Sequence, residues 1–128
     1  MKVTVAGSGY ESFVISACLA EMGNIITHYS QTPPSSVHNM SFHEPGLPAM
    51  LESNTSARRL SFTADIGQAS DCDLCILALG HTDAVDEQAV AFAAQFGDAL
   101  KTPSILVNSS PTSLGVTESM LQAAQSSG

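Results

Sequence analysis

The first thirty residues constrain the fold more than any other stretch of the chain. Lys2-Val3-Thr4-Val5-Ala6 is a short β-branched run that ends at Gly7-Ser8-Gly9, the pattern of a strand entering a tight turn. Over residues 10–22 the apolar positions Phe13, Val14, Ala17, Cys18, Leu19 and Met22 recur at spacings of three and four. That spacing predicts one buried helical face, and Gly23-Asn24 stops the helix. Ile25-Ile26-Thr27-His28-Tyr29 is a second strand. A helix between two strands makes them parallel, and the crossover right-handed.

The alternation continues. Residues 30–48 are loop-like and carry Pro33, Pro34, Pro45 and Pro48. A short helix is expected over residues 47–53, then a third strand, Leu60-Ser61-Phe62-Thr63. Asp65 is placed to cap a brief helix through Ala69. Residues 73–79 form a fourth strand, apolar on both faces as a central parallel strand should be. Thr82 or Asp83 is expected to cap a helix over residues 84–96 with Val85, Ala89, Phe92, Ala93 and Phe96 inside, ended by Gly97. Residues 104–108 are a fifth strand and residues 113–125 a last helix. This order predicts a single α/β domain over residues 1–128: a doubly wound, Rossmann-like parallel sheet of about five strands in the order 3-2-1-4-5. Ligands of such sheets lie beyond the carboxyl ends of the strands, here residues 7–12, 29–32, 80–83 and 108–112.

Composition limits the partners. The 128 residues include 4 Lys+Arg against 12 Asp+Glu, a formal net charge of −8, with 44% hydrophobic and 12% charged residues. A disordered acidic tail would be poorer in apolar residues. Nucleic acid is excluded as a partner, because four cations neutralise few phosphates. No apolar run reaches the roughly 18–20 residues of a membrane span. The opening MKVTVAGSGY lacks the long apolar core of a signal peptide, so the chain reads as cytoplasmic. The odd number of cysteines, Cys18, Cys72 and Cys75, suits reduced, buried thiols. Cys72-x-x-Cys75 runs into an apolar strand instead of opening a helix, against a redox role. The cysteines have no second Cys/His pair at zinc-ligand spacing, and the spacing of His43-Glu44 is uninformative for a metal. His28 is expected to be packed or at an edge, His38 and His43 to lie in the loop, and Arg58-Arg59 to form a solvated turn.

Gly7-Ser8-Gly9-Tyr10-Glu11-Ser12 occupies the place of the dinucleotide fingerprint G-x-G-x-x-G, between a strand and a helix. Gly7 permits the tight turn, and Gly9 lets the backbone approach a pyrophosphate at the helix N-terminus. Ser12 replaces the third glycine, and Glu11 adds a negative charge beside the turn. Tyr29-Ser30-Gln31 holds the place where an acidic residue would grip the ribose of NAD; Ser30 offers one hydrogen bond there, and no arginine follows it.

Taken together, these features resemble the NAD-binding domain of the UDP-glucose/GDP-mannose dehydrogenase family. The likeness runs through residues 1–10, Ala17-Cys18-Leu19-Ala20-Glu21-Met22-Gly23, the signature Glu44-Pro45-Gly46-Leu47, residues 60–65 and residues 73–80. It implies NAD as cofactor, contacted by Gly7, Ser8, Gly9, Tyr10, Ser30, Gly80, His81 and Ser109. Members of the family oxidise the C6 hydroxyl of a nucleotide-sugar to a carboxylate, using a cysteine and a lysine of a C-terminal domain. This chain is expected to stop before that domain, so its three cysteines do not correspond to that nucleophile and no catalytic residue is assigned. The family's Gly-Thr-Pro appears as Gly80-His81-Thr82, and its Ser-Thr-Val-Pro-Val-Gly-Thr as Ser109-Ser110-Pro111-Thr112-Ser113-Leu114-Gly115.

Three readings follow. The chain is an NAD-binding domain working with a separate catalytic chain or portion; or it is a degenerate module that binds no NAD and acts through protein contacts; or it is a small enzyme of other chemistry, for which no residue speaks. A sheet without a sixth strand leaves an edge through which two copies would pair as a homodimer.

Overall fold

The computed structural model describes residues 1–34, 44–80 and 82–127. His38, His43 and His81 therefore lie outside the described residues. The elements are β1 (Lys2–Ala6), α1 (Tyr10–Glu21), β2 (Ile25–Tyr29), α2 (Leu47–Ser56), β3 (Leu60–Thr63), α3 (Ile66–Ala69), β4 (Leu74–Leu77), α4 (Val85–Ala99), β5 (Ile105–Asn108) and α5 (Val116–Ser127). All strand pairs are parallel, in the order β3-β2-β1-β4-β5, as the alternation predicts. β1 is central: Val5 sits in register with His28 of β2 on one side and Ile76 of β4 on the other.

Each face of the sheet carries its own core. Val3, Val5, Ile26 and Leu60 pack with Phe13 and Ala17 of α1 and with Leu51 of α2. Tyr29, Cys75 and Leu77 pack with Phe92 and Phe96 of α4 and with Met120 of α5. The five apolar positions expected inside α4 are all buried. Asp65 caps α3 as expected, its carboxylate accepting the Gly67 N–H at 2.8 Å.

Several local expectations are corrected. α1 buries Ser12, Phe13, Ser16, Ala17 and Ala20, while Cys18 is exposed and Met22 is 77% exposed. Small side chains let this helix approach β1 and β2 closely, and its two serines find hydrogen-bond partners below. Neither Thr82 nor Asp83 caps α4; the N-cap is Ala84 without a side-chain bond, and the Thr82 carbonyl accepts the Val85 N–H instead. α2 extends to Ser56, and β4 proper is only Leu74–Leu77. Arg58 is exposed and has a left-handed backbone, φ 60°, just beyond α2. Arg59 is half-buried, its Nε donating to Asn54 Oδ1 at 2.9 Å. Cys72 and Cys75 are buried, and burial, with Cys72 nearby, pushes the Cys75 thiol well above its usual range. That is the environment of an inert structural thiol.

Gly97 does not end α4; it lies buried inside the helix. A Cβ there would stand 2.4 Å from the Ala124 carbonyl oxygen and 2.7 Å from its Cα. Glycine thus lets α5 cross α4 at backbone distance. Alanine would gain roughly 1 kcal/mol of helix propensity. Forcing the two backbones apart costs about 1–3 kcal/mol or more. Gly97→Ala is therefore expected to lower stability by up to about 2 kcal/mol, read as the urea midpoint, although it is a favourable exchange in an open helix.

Candidate functional site

The glycine turn joins β1 to α1 at the carboxyl end of the sheet. Gly7 is enclosed: a Cβ on it would meet the Ala78 carbonyl oxygen at 2.2 Å and Ser12 Cβ at 3.0 Å. Its N–H donates to the Tyr29 carbonyl at 3.0 Å. Ser12, in place of the third glycine, is fully buried, and its hydroxyl donates to the Gly9 carbonyl at 2.6 Å. Gly9 differs from Gly7. It is the N-cap of α1 and makes no side-chain cap, and a Cβ on it would meet nothing within 4 Å. The packing of the fold therefore requires Gly7 but not Gly9. What Gly9 leaves is open space in front of a helix N-terminus, whose first N–H groups point outward.

A buried histidine holds this turn; it is packed, one of the two placements expected for it, although no motif marks it as part of the site. His28 of β2 is fully buried, stacked on Phe13 with ring centroids 4.3 Å apart. Its Nε2 lies 2.8 Å from the Gly7 carbonyl, and its Nδ1 lies 2.8 Å from Ser16 Oγ. A carbonyl only accepts, so Nε2 carries the proton and Nδ1 accepts from the serine hydroxyl. The imidazole is neutral, and burial brings its pKa from 6.5 down to about 4, with the Gly7 bond opposing that shift. No buried polar side chain among the described residues lacks a partner.

Beside the turn lies a cleft of about 340 Å³, formed at the ends of β1, β2 and β4 and walled by α4. Gly7, Ser8 and Ser30, three of the residues expected to contact a cofactor, line it. Ser30 is buried; its N–H donates to the Thr63 carbonyl and its hydroxyl accepts the Thr32 N–H at 3.2 Å. Gln88 and Gln95 of α4 line the opposite wall, a contribution that no motif signalled. A larger groove, about 760 Å³, lies between α4, α5 and β5 and shares no residue with the turn.

Of the other expected contacts, the described ones, Gly9, Tyr10, Gly80 and Ser109, are not among the residues that line the cleft. Tyr10 opens α1, and its hydroxyl donates to Glu44 Oε2 at 2.8 Å, tying the turn to the Glu44-Pro45-Gly46-Leu47 segment. That bond, with Glu44's charge, raises the phenol pKa above 10.0. Gly80 and Ser109 are exposed on the loops after β4 and β5. These loops are joined by Ser110, whose hydroxyl accepts the Leu79 N–H at 2.9 Å and donates to the Leu77 carbonyl at 3.1 Å. No group of three or more potential metal ligands occurs among the described residues, and none of their helices is long and apolar enough to cross a membrane.

A parallel sheet in this order, with a glycine turn opening a helix at the switch point, defines a dinucleotide-binding domain. Residues 1–128 match the model of the NAD binding domain of the UDP-glucose/GDP-mannose dehydrogenase family, and the chain belongs to that family. It is 32% identical over 128 residues to a UDP-glucose 6-dehydrogenase of Pseudomonas aeruginosa, covering 92% of this chain and 28% of that protein. It is likewise 32% identical over 124 residues to the UDP-glucose 6-dehydrogenase TuaD of Bacillus subtilis, covering 89% and 27%. Among solved structures, a GDP-mannose dehydrogenase of Pseudomonas aeruginosa superposes with a TM-score of 0.87 at 22% identity, over 99% of this chain and 32% of that one. The chain thus spans under a third of the length of these relatives.

His28 makes stability depend on pH. The unfolded imidazole takes up a proton near pH 6.5, whereas the folded one resists until about pH 4. Its contribution is complete above pH 6.5 and is lost as pH falls towards 4, a change of roughly 3 kcal/mol. Urea unfolding between pH 7 and 4 is expected to show this loss, and His28→Gln, which does not titrate, to flatten the slope by about one proton over that window. An unchanged slope in the variant would count against a neutral buried His28.

Proposed function

We propose that this chain binds NAD and supplies the cofactor half of a nucleotide-sugar dehydrogenase. The observation that carries this reading is the contrast between the two glycines: Gly7 is required by packing, whereas Gly9 keeps an uncapped helix N-terminus open. The diphosphate would lie on the backbone of residues 7–10, where N–H groups and the helix dipole favour negative charge. The adenosine half would enter the cleft beside Ser30, and the nicotinamide would face Gly80 and Ser109. Bound NAD would supply acceptance of a hydride from the alcohol carbon of the substrate. The chain's own residues fix the turn, exclude water with Leu79 and Phe92, and orient the two ends. The substrate-binding and catalytic groups would come from a further portion, on the same or a separate polypeptide. The 128-residue chain alone is expected to bind NAD without oxidising UDP-glucose.

A contact with further polypeptide is favoured by β5. Among the described residues it pairs only with β4, and Ile105 and Val107 are 66% and 40% exposed on the face away from the α4 and α5 core. The proposed occupant is the remaining portion of the dehydrogenase, since the relatives carry more than three times this length. A second copy is the competing occupant, and light scattering at twice 13.3 kDa would favour it.

Calorimetric titration with NAD tests the main reading. Binding should also raise the melting temperature, by mass action. Gly9→Val is expected to abolish binding while leaving the melting temperature of the free chain within about 2 °C, because its Cβ enters open space. No heat and no thermal shift at millimolar NAD would overturn the proposal.

A further inference from the structure

Dinucleotide folds choose between NAD and NADP at the end of the second strand. A carboxylate there accepts the ribose hydroxyls and repels a 2′-phosphate, whereas a nearby arginine welcomes the phosphate. Ser30 occupies this position, and its oxygen already accepts the Thr32 N–H. Beyond it, Gln31 and Thr32 are exposed on the rim, and across the cleft Gln88 and Gln95 stand seven residues apart on one face of α4. None of the described residues that line the cleft is Asp, Glu, Lys, Arg or His. Hydroxyls and amides both donate and accept, so they serve a ribose hydroxyl or a phosphate oxygen alike. Specificity is a difference of affinities, and it usually needs a repulsive element as well as an attractive one. Here the described cleft has neither charge.

We propose that this cleft binds NADP nearly as well as NAD, with Ser30 and Gln31 as the positions that set the balance. The proposal rests on the dinucleotide-binding reading above and narrows its ligand. The rim would meet the adenosine ribose in either form through neutral hydrogen bonds. The net charge of −8 would disfavour the extra phosphate only through a long-range field, which salt screens.

The test is calorimetric titration of the intact chain with NAD and NADP at about 0.15 M salt, where the Debye length is roughly 8 Å. The two dissociation constants are expected to lie within about tenfold of each other. Ser30→Asp keeps an acceptor for the Thr32 N–H and should shift the ratio towards NAD by roughly thirtyfold or more, through repulsion of the 2′-phosphate. Gln31→Arg, at an exposed position, should shift it towards NADP by about tenfold. Melting curves establish that each variant is folded. An NAD preference above about a hundredfold in the unaltered chain, or a ratio that neither variant moves, would overturn the specificity proposal while leaving dinucleotide binding intact. Failure of both nucleotides to bind would instead overturn the dinucleotide reading, and this inference with it.

Discussion

The hydrogen bond from His28 to the Gly7 carbonyl is the constraint on which the site depends. It joins the end of β1 to β2, and through Ser16 it reaches α1, so one neutral imidazole ties all three elements of the first strand–helix–strand unit. Both ring nitrogens are satisfied and the ring is stacked on Phe13. Breaking either bond would leave a buried polar group without a partner, at a cost of about 1–3 kcal/mol. The turn is consequently set before any ligand arrives, and a preorganised site loses less free energy on binding than one that must order itself.

The same unit offers an acidic chain a place for an anion. Under the proposed function, affinity for a diphosphate would not come from cations, because no Lys or Arg lines the cleft among the described residues. It would come from backbone N–H groups at the start of α1 and from the aligned dipoles behind them. Glu11 in the first turn stabilises the helix and opposes the anion at once, so the open space before Gly9 matters more here than in a site with a cation at hand. Apolar burial by Phe92 and Leu79 then closes one side of the cleft, and amides on α4 supply contacts without charge.

Much of this architecture was legible in the sequence. Parallel strands buried on both faces read as apolar runs, and a strand meeting Gly7-Ser8-Gly9 leaves few alternatives to a crossover unit. The strand order followed from that. The inner face of α1 did not, because periodicity counts Cys18 and Met22 as core and cannot see that Ser12 and Ser16 have partners 3 and 12 residues away. Gly97 looks like a helix stop because glycine's local preference is visible in sequence, whereas its close approach to Ala124 joins two separate elements. In the site, Gly7, Ser8 and Ser30 line one cleft as their positions after β1 and β2 implied. The bond from Tyr10 to Glu44, and the Ser110 hydroxyl that joins the loops after β4 and β5, carry no local signal. His28, Gln88 and Gln95 carry no motif; only the folded register brings them to the turn.

The central claim is the location of the ligand, and amide chemical-shift mapping with NAD tests it most directly. The account predicts that shifts concentrate at residues 7–12 and 30–32 and at the face of α4 bearing Gln88 and Gln95, with the Nε2–H signal of His28 retained. Shifts confined to the groove between α5 and β5, or no shifts at saturating NAD, would contradict it.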